Sequence, residues 1–73
     1  MKRQVATADE LLQRITVNSK ILGGKPIIRG TRISVELILE KLAEGESVGD
    51  LLRDYPHITE ADIRAVLRFD STV

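Results

Sequence analysis

Two arginines on either side of a glycine form the most chemically distinctive spacing in the chain. Arg29 and Arg32 flank Gly30, a residue type that readily takes a positive φ and so permits a tight turn. If the turn closes a hairpin, both guanidinium groups lie near its tip, where they could clamp phosphates or partner carboxylates in bidentate fashion. The other interpretation is that at least one of them pairs with an acid of the second half, such as Glu36 or Glu40.

Charge is distributed unevenly along the chain. The 73 residues include 11 basic and 11 acidic side chains, so the formal net charge is zero. Residues 1–33 carry seven basic and two acidic side chains, whereas residues 34–73 carry four basic and nine acidic ones. This asymmetry indicates either a charged partner or neutralisation of one half by the other, within a chain or across a dimer.

Other kinds of chemistry have little support in the sequence. The absence of cysteine excludes disulfides, thiolate metal sites and a Cys nucleophile. His57 is the only histidine and has no companion at metal-ligand spacing, so we expect no metal and no cofactor. The acids have the helical spacing of solvated faces and salt pairs, which differs from a catalytic carboxylate dyad. We therefore expect that the protein is not an enzyme.

Residues 34–70 predict three short helices, each with an N-cap residue and an apolar stripe. Ser34, Ser47 and Thr59 are the predicted N-caps. Gly45 ends the first helix by taking a left-handed conformation, and Pro56 ends the second. The predicted stripes are Val35, Ile38, Leu39 and Leu42, then Val48, Leu51, Leu52 and Tyr55, then Ile63, Val66 and Leu67. Because helices this short are unstable alone, each stripe must pack on the others.

The first half of the chain predicts a short helix followed by extended structure. A capping-box pattern beginning at Thr7 allows a short leading helix. Alternation then places Ile15 and Val17 on one side of a half-buried strand. Residues 23–33 predict an extended segment or a hairpin that turns at Gly30. We expect this glycine-hinged basic arm to remain free to engage another macromolecule.

The three tightly joined helices suggest a trihelical helix-turn-helix, in which residues 60–69 take the recognition-helix position. Arg64 and Arg68, one turn apart, favour DNA binding there. Glu60 and Asp62 suit a helix N-terminus but would face phosphates badly. A plain three-helix bundle without nucleic acid is the alternative.

Two large apolar residues lie off the predicted stripes. Leu37 is far around the helix from the stripe that includes Ile38, and Phe69 lies off the last stripe. Two such residues in so small a chain favour a buried interface. We therefore hypothesise that Leu37 or Phe69 contacts a second protein chain.

The gap-free motif GxPxIxGTRI, present here as Gly24–Ile33, is the strongest family signal. With Gly45-Glu46-Ser47 and Tyr55-Pro56-His57-Ile58-Thr59 following it, the chain resembles the small prokaryotic family known as domain of unknown function 433 (DUF433) from about Ile15 to about Val66. The resemblance implies a homeodomain-like helix-turn-helix with an N-terminal β extension, commonly dimeric. It also implies an antitoxin-like protein, often encoded beside a PIN-like toxin that is a presumed ribonuclease.

We therefore expect a mostly α single domain over residues 1–73, with an N-terminal β-containing extension at 1–33 and a three-helix core at 34–70. Its expected function is that of an antitoxin-type protein, which masks a PIN-like toxin and can bind operator DNA as a homodimer. The alternative is a dimeric protein-interaction module with no DNA role. The residues assigned to DNA binding are Lys25, Arg29, Arg32, Arg64 and Arg68. Those assigned to a partner or dimer interface are Ile27, Ile28, Leu37 and Phe69.

The sequence also predicts a cellular compartment. No apolar run approaches the roughly 18 residues that a membrane span needs. The basic start Met1–Gln4 leads into Asp9 instead of an apolar signal core. We expect a soluble cytoplasmic protein with no membrane partner.

Overall fold

A computed structural model describes residues 7–71 of the chain. The basic start Met1–Gln4, on which the prediction of the compartment rests, lies outside that range. The described residues form four helices and a two-stranded sheet, which confirms the mostly α prediction with a short N-terminal β element. The elements are α1 (Ala8–Leu12), β1 (Ile15–Val17), β2 (Pro26–Ile28), α2 (Val35–Ala43), α3 (Val48–Asp54) and α4 (Glu60–Ser71). A 3-10 turn at Leu22–Gly24 precedes β2.

Each helix begins where the sequence places an N-cap. Ser34 Oγ accepts the Leu37 N–H at 3.0 Å at the start of α2. The other three starts are reciprocal capping boxes, in which a hydroxyl and a carboxylate each satisfy a backbone N–H that the helix leaves unpaired. These pairs are Thr7 with Glu10, Ser47 with Asp50, and Thr59 with Asp62. The predicted stop of α2 is also confirmed, since Gly45 has φ +96°.

The chain reverses direction twice around β2. β1 and β2 are antiparallel with Thr16 opposite Ile27, and residues 18–25 form the hairpin connection. The second reversal follows at Gly30, whose φ of +81° confirms the predicted left-handed turn. It allows the Ile28 N–H to donate to the Ile33 carbonyl at 2.9 Å. The predicted turn at Gly30 is therefore present, but the connection between the two strands lies earlier in the chain.

The hydrophobic core draws on both halves of the chain. Its buried members are Ile15, Ile28, Val35, Ile38, Leu51, Ile58, Ile63, Ala65 and Val66. In addition, α1 and β1 both contact α4. The expectation of a free basic arm is therefore wrong. The extension folds onto the three helices because its apolar residues supply core area that 34–70 alone cannot provide.

The buried face of α4 differs from the predicted stripe. Leu67, predicted inside, is 48% exposed, whereas Ala65 is fully buried. Because α1 and β1 cover one flank of α4, the buried face extends toward Asp62 and Ala65 and leaves Leu67 outside.

Candidate functional site: charged and apolar surfaces around the hairpin and helices

The two arginines of the turn after β2 differ in their hydrogen bonding. Arg29 and Arg32 line one open concavity together with Thr16 and Asn18. Arg29 Nε donates to the Gln13 carbonyl at 2.8 Å, which fixes its side chain against the end of α1. Arg32 is exposed and has no hydrogen bond or ion pair within residues 7–71. Arg32 is therefore available to an anion, whereas Arg29 has part of its guanidinium already engaged.

The alternative interpretation, in which one of these arginines pairs with an acid such as Glu36 or Glu40, is not realised among residues 7–71. Instead, Lys25 Nζ lies 3.0 Å from Glu36 Oε1 in an exposed ion pair. The second link between the basic and acidic halves joins Arg14 to Asp62 at 3.1 Å. Because Gly30 turns the chain sharply, Arg29 projects back toward the end of α1 and away from α2.

The candidate DNA-binding residues of α4 lie on its outer face. Glu60, Arg64, Leu67 and Arg68 are all exposed and share that face. Arg64 Nη1 pairs with Glu60 Oε1 at 2.7 Å, one turn away. Arg64 therefore already has a carboxylate partner within its own helix.

Two residues predicted to form a partner interface lie inside the single chain. Ile27 and Ile28 are each 1% exposed. Ile28 belongs to the main core, whereas Ile27 points to the opposite face of the hairpin beside Ile21 and Thr31. Ile27 and Ile28 are therefore core residues and not the interface residues that the sequence predicted, because the same protomer covers both faces of β2.

The two off-stripe residues, Leu37 and Phe69, are half-buried. Phe69 packs against the core and lines an apolar groove with Pro26, Val35 and Leu39. Leu37 lies beside Leu22 in a separate concavity that Lys25 and Arg32 also line. The groove at Phe69 is the more apolar of the two surfaces, because Lys25, Arg32, Glu36 and Glu40 line the concavity at Leu37.

Acidic side chains next to that groove were not identified as functional from the sequence. Glu36 and Asp70 line the rim of the groove. Glu40 and Glu44 are also exposed and follow Glu36 at intervals of one turn, and Glu40 lines the neighbouring concavity with Lys25 and Arg32. We define the acidic–apolar surface as Glu36, Glu40, Glu44 and Asp70 together with the Phe69 groove. The i, i+4, i+8 spacing was a visible signal, but it is also typical of an ordinary solvated face.

The field at the end of α2 is negative. Attraction by Glu46, followed by Glu44 and then Tyr55, raises the pKa of Lys41 above its ordinary value. Lys41 Nζ lies 3.6 Å from Glu46 Oε2. Because Lys41 sits between Glu40, Glu44 and Glu46, acidic charge exceeds basic charge at this end of the surface.

Within the described range, no cluster of three or more His, Cys, Asp or Glu side chains is placed to hold a metal ion. His57 is exposed in the turn between α3 and α4. None of the helices described is both long and apolar enough to cross a bilayer.

Comparison with known proteins identifies the family. The family model described as "Protein of unknown function (DUF433)" matches residues 15–69, about three quarters of the chain. The uncharacterized protein y4eO of Sinorhizobium fredii is 38% identical over 50 residues, which cover 68% of this chain and 23% of that protein. The chain thus spans about a quarter of the length of this curated relative.

A solved structure supports the same assignment. The crystal structure of a DUF433 member from Anabaena variabilis has a TM-score of 0.78 and 29% identity to this chain. The match covers 81% of this chain and 58% of the Anabaena protein, so the solved relative is also longer. The resemblance seen in the Gly24–Ile33 motif is confirmed, and the chain belongs to the DUF433 family.

Proposed function

We propose that this protein is an antitoxin-type protein that binds a PIN-like ribonuclease toxin and masks its RNA-binding cleft. The observation that carries the proposal is the acidic–apolar surface, in which the Phe69 groove adjoins Glu36 and Asp70 and the row of acids continues along α2 to Glu40 and Glu44. A cleft that binds RNA must present basic groups to phosphates, so its complement is an acidic surface.

The apolar groove contributes binding affinity that the charged side chains alone do not provide. Exposed ion pairs contribute little affinity and are screened by salt, whereas burial of apolar area contributes to a stable complex. Phe69 and Leu39 line the groove floor, and Glu36 lies at its rim. In this arrangement, the carboxylates steer and orient the toxin while the apolar groove holds it.

Masking is steric and electrostatic, and it needs no covalent chemistry. The carboxylates along α2 occupy the positions that RNA phosphates would take on the toxin. Lys25 partly neutralises Glu36 through its ion pair, so Glu40 and Glu44 carry most of the exposed negative charge. These two residues are therefore the most informative to change.

The test uses the PIN-like protein encoded beside this chain, with binding measured by titration and masking measured as ribonuclease inhibition. Glu40→Lys with Glu44→Lys should weaken binding by about tenfold or more, because like charges then oppose each other. The matched control is Asp9→Lys with Asp54→Lys, which makes the same charge change on α1 and α3. Equal effects of the two double variants, or no binding by the wild type, would contradict the proposal.

A second candidate function, operator binding through α4, is favoured by the order of α3 and α4 and by Arg64 and Arg68 on the outer face. Its test is a titration with the upstream DNA of its own operon at two salt concentrations. Sequence-specific binding that persists at moderate salt and weakens on Arg68→Ala supports it. Weak binding that disappears at moderate salt favours a protein-interaction module with no DNA role.

A further inference from the structure

The concavity that Arg29 and Arg32 line is basic and polar. It is open to solvent, has a volume of about 830 Å³, and lies between the hairpin connection and the turn after β2. Its polar side chains are Thr16, Asn18, Ser19, Thr31 and the two arginines. None of the described side chains that line it is acidic, so the positive charge of the arginines is not opposed there. A concavity of this charge favours an anionic ligand.

The turn that carries the two arginines is held in place by its own hydrogen bonds. The Thr31 N–H and the Thr31 hydroxyl both donate to the Ile28 carbonyl, at 3.0 and 2.7 Å. The same hydroxyl accepts the Ile33 N–H at 2.9 Å. Because Ile28 is buried in the main core, these bonds anchor the turn to the rest of the fold. A turn that is already ordered loses less conformational entropy when a ligand binds.

Both arginines retain donors for an anion. Arg29 uses Nε for the Gln13 carbonyl, which fixes the side chain and leaves its two terminal NH₂ groups without a protein acceptor among residues 7–71. The whole guanidinium of Arg32 is without such an acceptor over the same range. Guanidinium groups donate pairs of parallel hydrogen bonds to phosphate oxygens.

We infer that this concavity binds a dianionic phosphate group, either free or as the monoester of a nucleotide, through Arg29 and Arg32. A phosphate monoester carries about two negative charges at neutral pH, which matches the two guanidinium groups. The DNA backbone instead presents phosphodiesters with one negative charge each. The charge of the concavity therefore favours a small phosphate ligand over the DNA backbone to which the sequence assigned these arginines.

The remaining lining residues provide contacts for the rest of a nucleotide. Asn18 Oδ1 accepts the Lys20 N–H at 2.9 Å, so the Asn18 side-chain NH₂ group is left to donate to a ligand. Val17 lines the same concavity and is 61% exposed, which offers apolar area to a nucleobase. No residue of the acidic–apolar surface lines this concavity, so phosphate binding does not depend on toxin binding.

The test is a titration of the isotope-labelled full chain with inorganic phosphate, followed by backbone amide chemical shifts at an ionic strength held constant with chloride. We expect saturable shifts at Gly30, Thr31 and Arg32. Arg32→Gln should weaken binding by about tenfold or more, because it removes charged donors to the ligand. Arg32 has no protein partner among residues 7–71, so this variant should keep the wild-type amide spectrum elsewhere.

The matched control is Arg53→Gln, which removes the same charge from an exposed position on α3 and should leave the affinity unchanged. Arg29→Gln is the second variant at the concavity and should also weaken binding. Absence of saturable shifts around Gly30, or equal effects of Arg32→Gln and Arg53→Gln, would overturn the inference.

Further probes define the class and the source of the phosphate. Dimethyl phosphate, a singly charged phosphodiester, and acetate should each bind more weakly than inorganic phosphate. Equal affinity for either of them would overturn the assignment to a dianionic phosphate. Adenosine monophosphate distinguishes the two sources: tighter binding than inorganic phosphate, with added shifts at Val17, supports a nucleotide, and equal affinity supports free phosphate.

Discussion

Arg14 and Asp62 lie 48 positions apart in the sequence, yet their side chains meet, with Nη1 3.1 Å from Oδ1. Arg14 immediately precedes β1, and Asp62 lies in the first turn of α4. The same carboxylate accepts the Thr59 N–H at 2.9 Å through its other oxygen. One nearly buried acid therefore both caps α4 and ties the extension to it.

Asp62→Ala should destabilise the fold by about 1–2 kcal/mol, because it removes the capping-box acceptor and the partner of Arg14. Asp62→Asn retains an oxygen that can accept the Thr59 N–H, so it should cost less. Urea unfolding followed by circular dichroism measures both. Equal losses would mean that the charge, and not the cap, carries the effect.

Gly30→Ala should destabilise the fold by about 1–2 kcal/mol, because alanine is strained at a φ of +81°. The added Cβ would meet no atom within 4 Å, so backbone strain and not a steric clash is the expected cause. The comparison is Gly49→Ala, within α3 and without positive φ, where the nearest side-chain atom is 3.7 Å away. That change should stabilise by up to about 1 kcal/mol, because alanine is the better helix former. In thermal melts, the melting temperature should fall for Gly30→Ala and rise for Gly49→Ala, relative to the wild type. Shifts of the same sign would contradict the assignment of strain to Gly30.

Ile28→Ala should cost about 2–4 kcal/mol, because its side chain is 1% exposed within the main core. Leu67→Ala, at a position that is 48% exposed on α4, should change stability by less than about 0.5 kcal/mol. Denaturant titrations at two protein concentrations separate a core role from an interface role. A loss for Ile28→Ala that vanishes on dilution would place the residue at an interface instead.

Asp50 predicts an acid-dependent loss of stability. The Ser47 backbone N–H, aided by the Ser47 hydroxyl and by Arg53, holds the pKa of Asp50 below its ordinary value. Since the folded pKa is the lower one, this stabilisation is present above the unfolded pKa and is lost as pH falls through the folded pKa. Between neutral pH and about pH 3, Asp50→Asn should therefore lose less stability than the wild type. The measurement is the free energy of unfolding in urea as a function of pH, and equal losses in Asp50→Asn and the wild type would contradict this prediction.

Local features of the fold were predictable because their causes are local. The N-caps at Ser34, Ser47 and Thr59 and the left-handed stop at Gly45 follow from short-range hydrogen bonding and backbone sterics. The family motif at Gly24–Ile33 likewise identified DUF433 before any packing was known.

The surfaces were less predictable because they depend on which elements pack together. The pattern placed Leu67 inside and Ile27 at an interface, but α1 and β1 cover α4 from one side and both faces of β2 are buried. The pairing of Arg29 with acids of α2 failed because the turn at Gly30 directs it to Gln13. The acids of α2 became a candidate binding surface only when the fold placed Phe69 in one groove with Glu36 and Asp70.

The sequence by itself determined where helices begin and end, the left-handed turns and the family, since each depends on neighbouring residues or on a contiguous motif. Only the tertiary structure decided that the extension completes the core, that Arg14 meets Asp62, and that Arg29 bonds to the Gln13 carbonyl. Those outcomes depend on contacts between distant segments, whose formation must offset chain entropy collectively and is not encoded in any one local pattern.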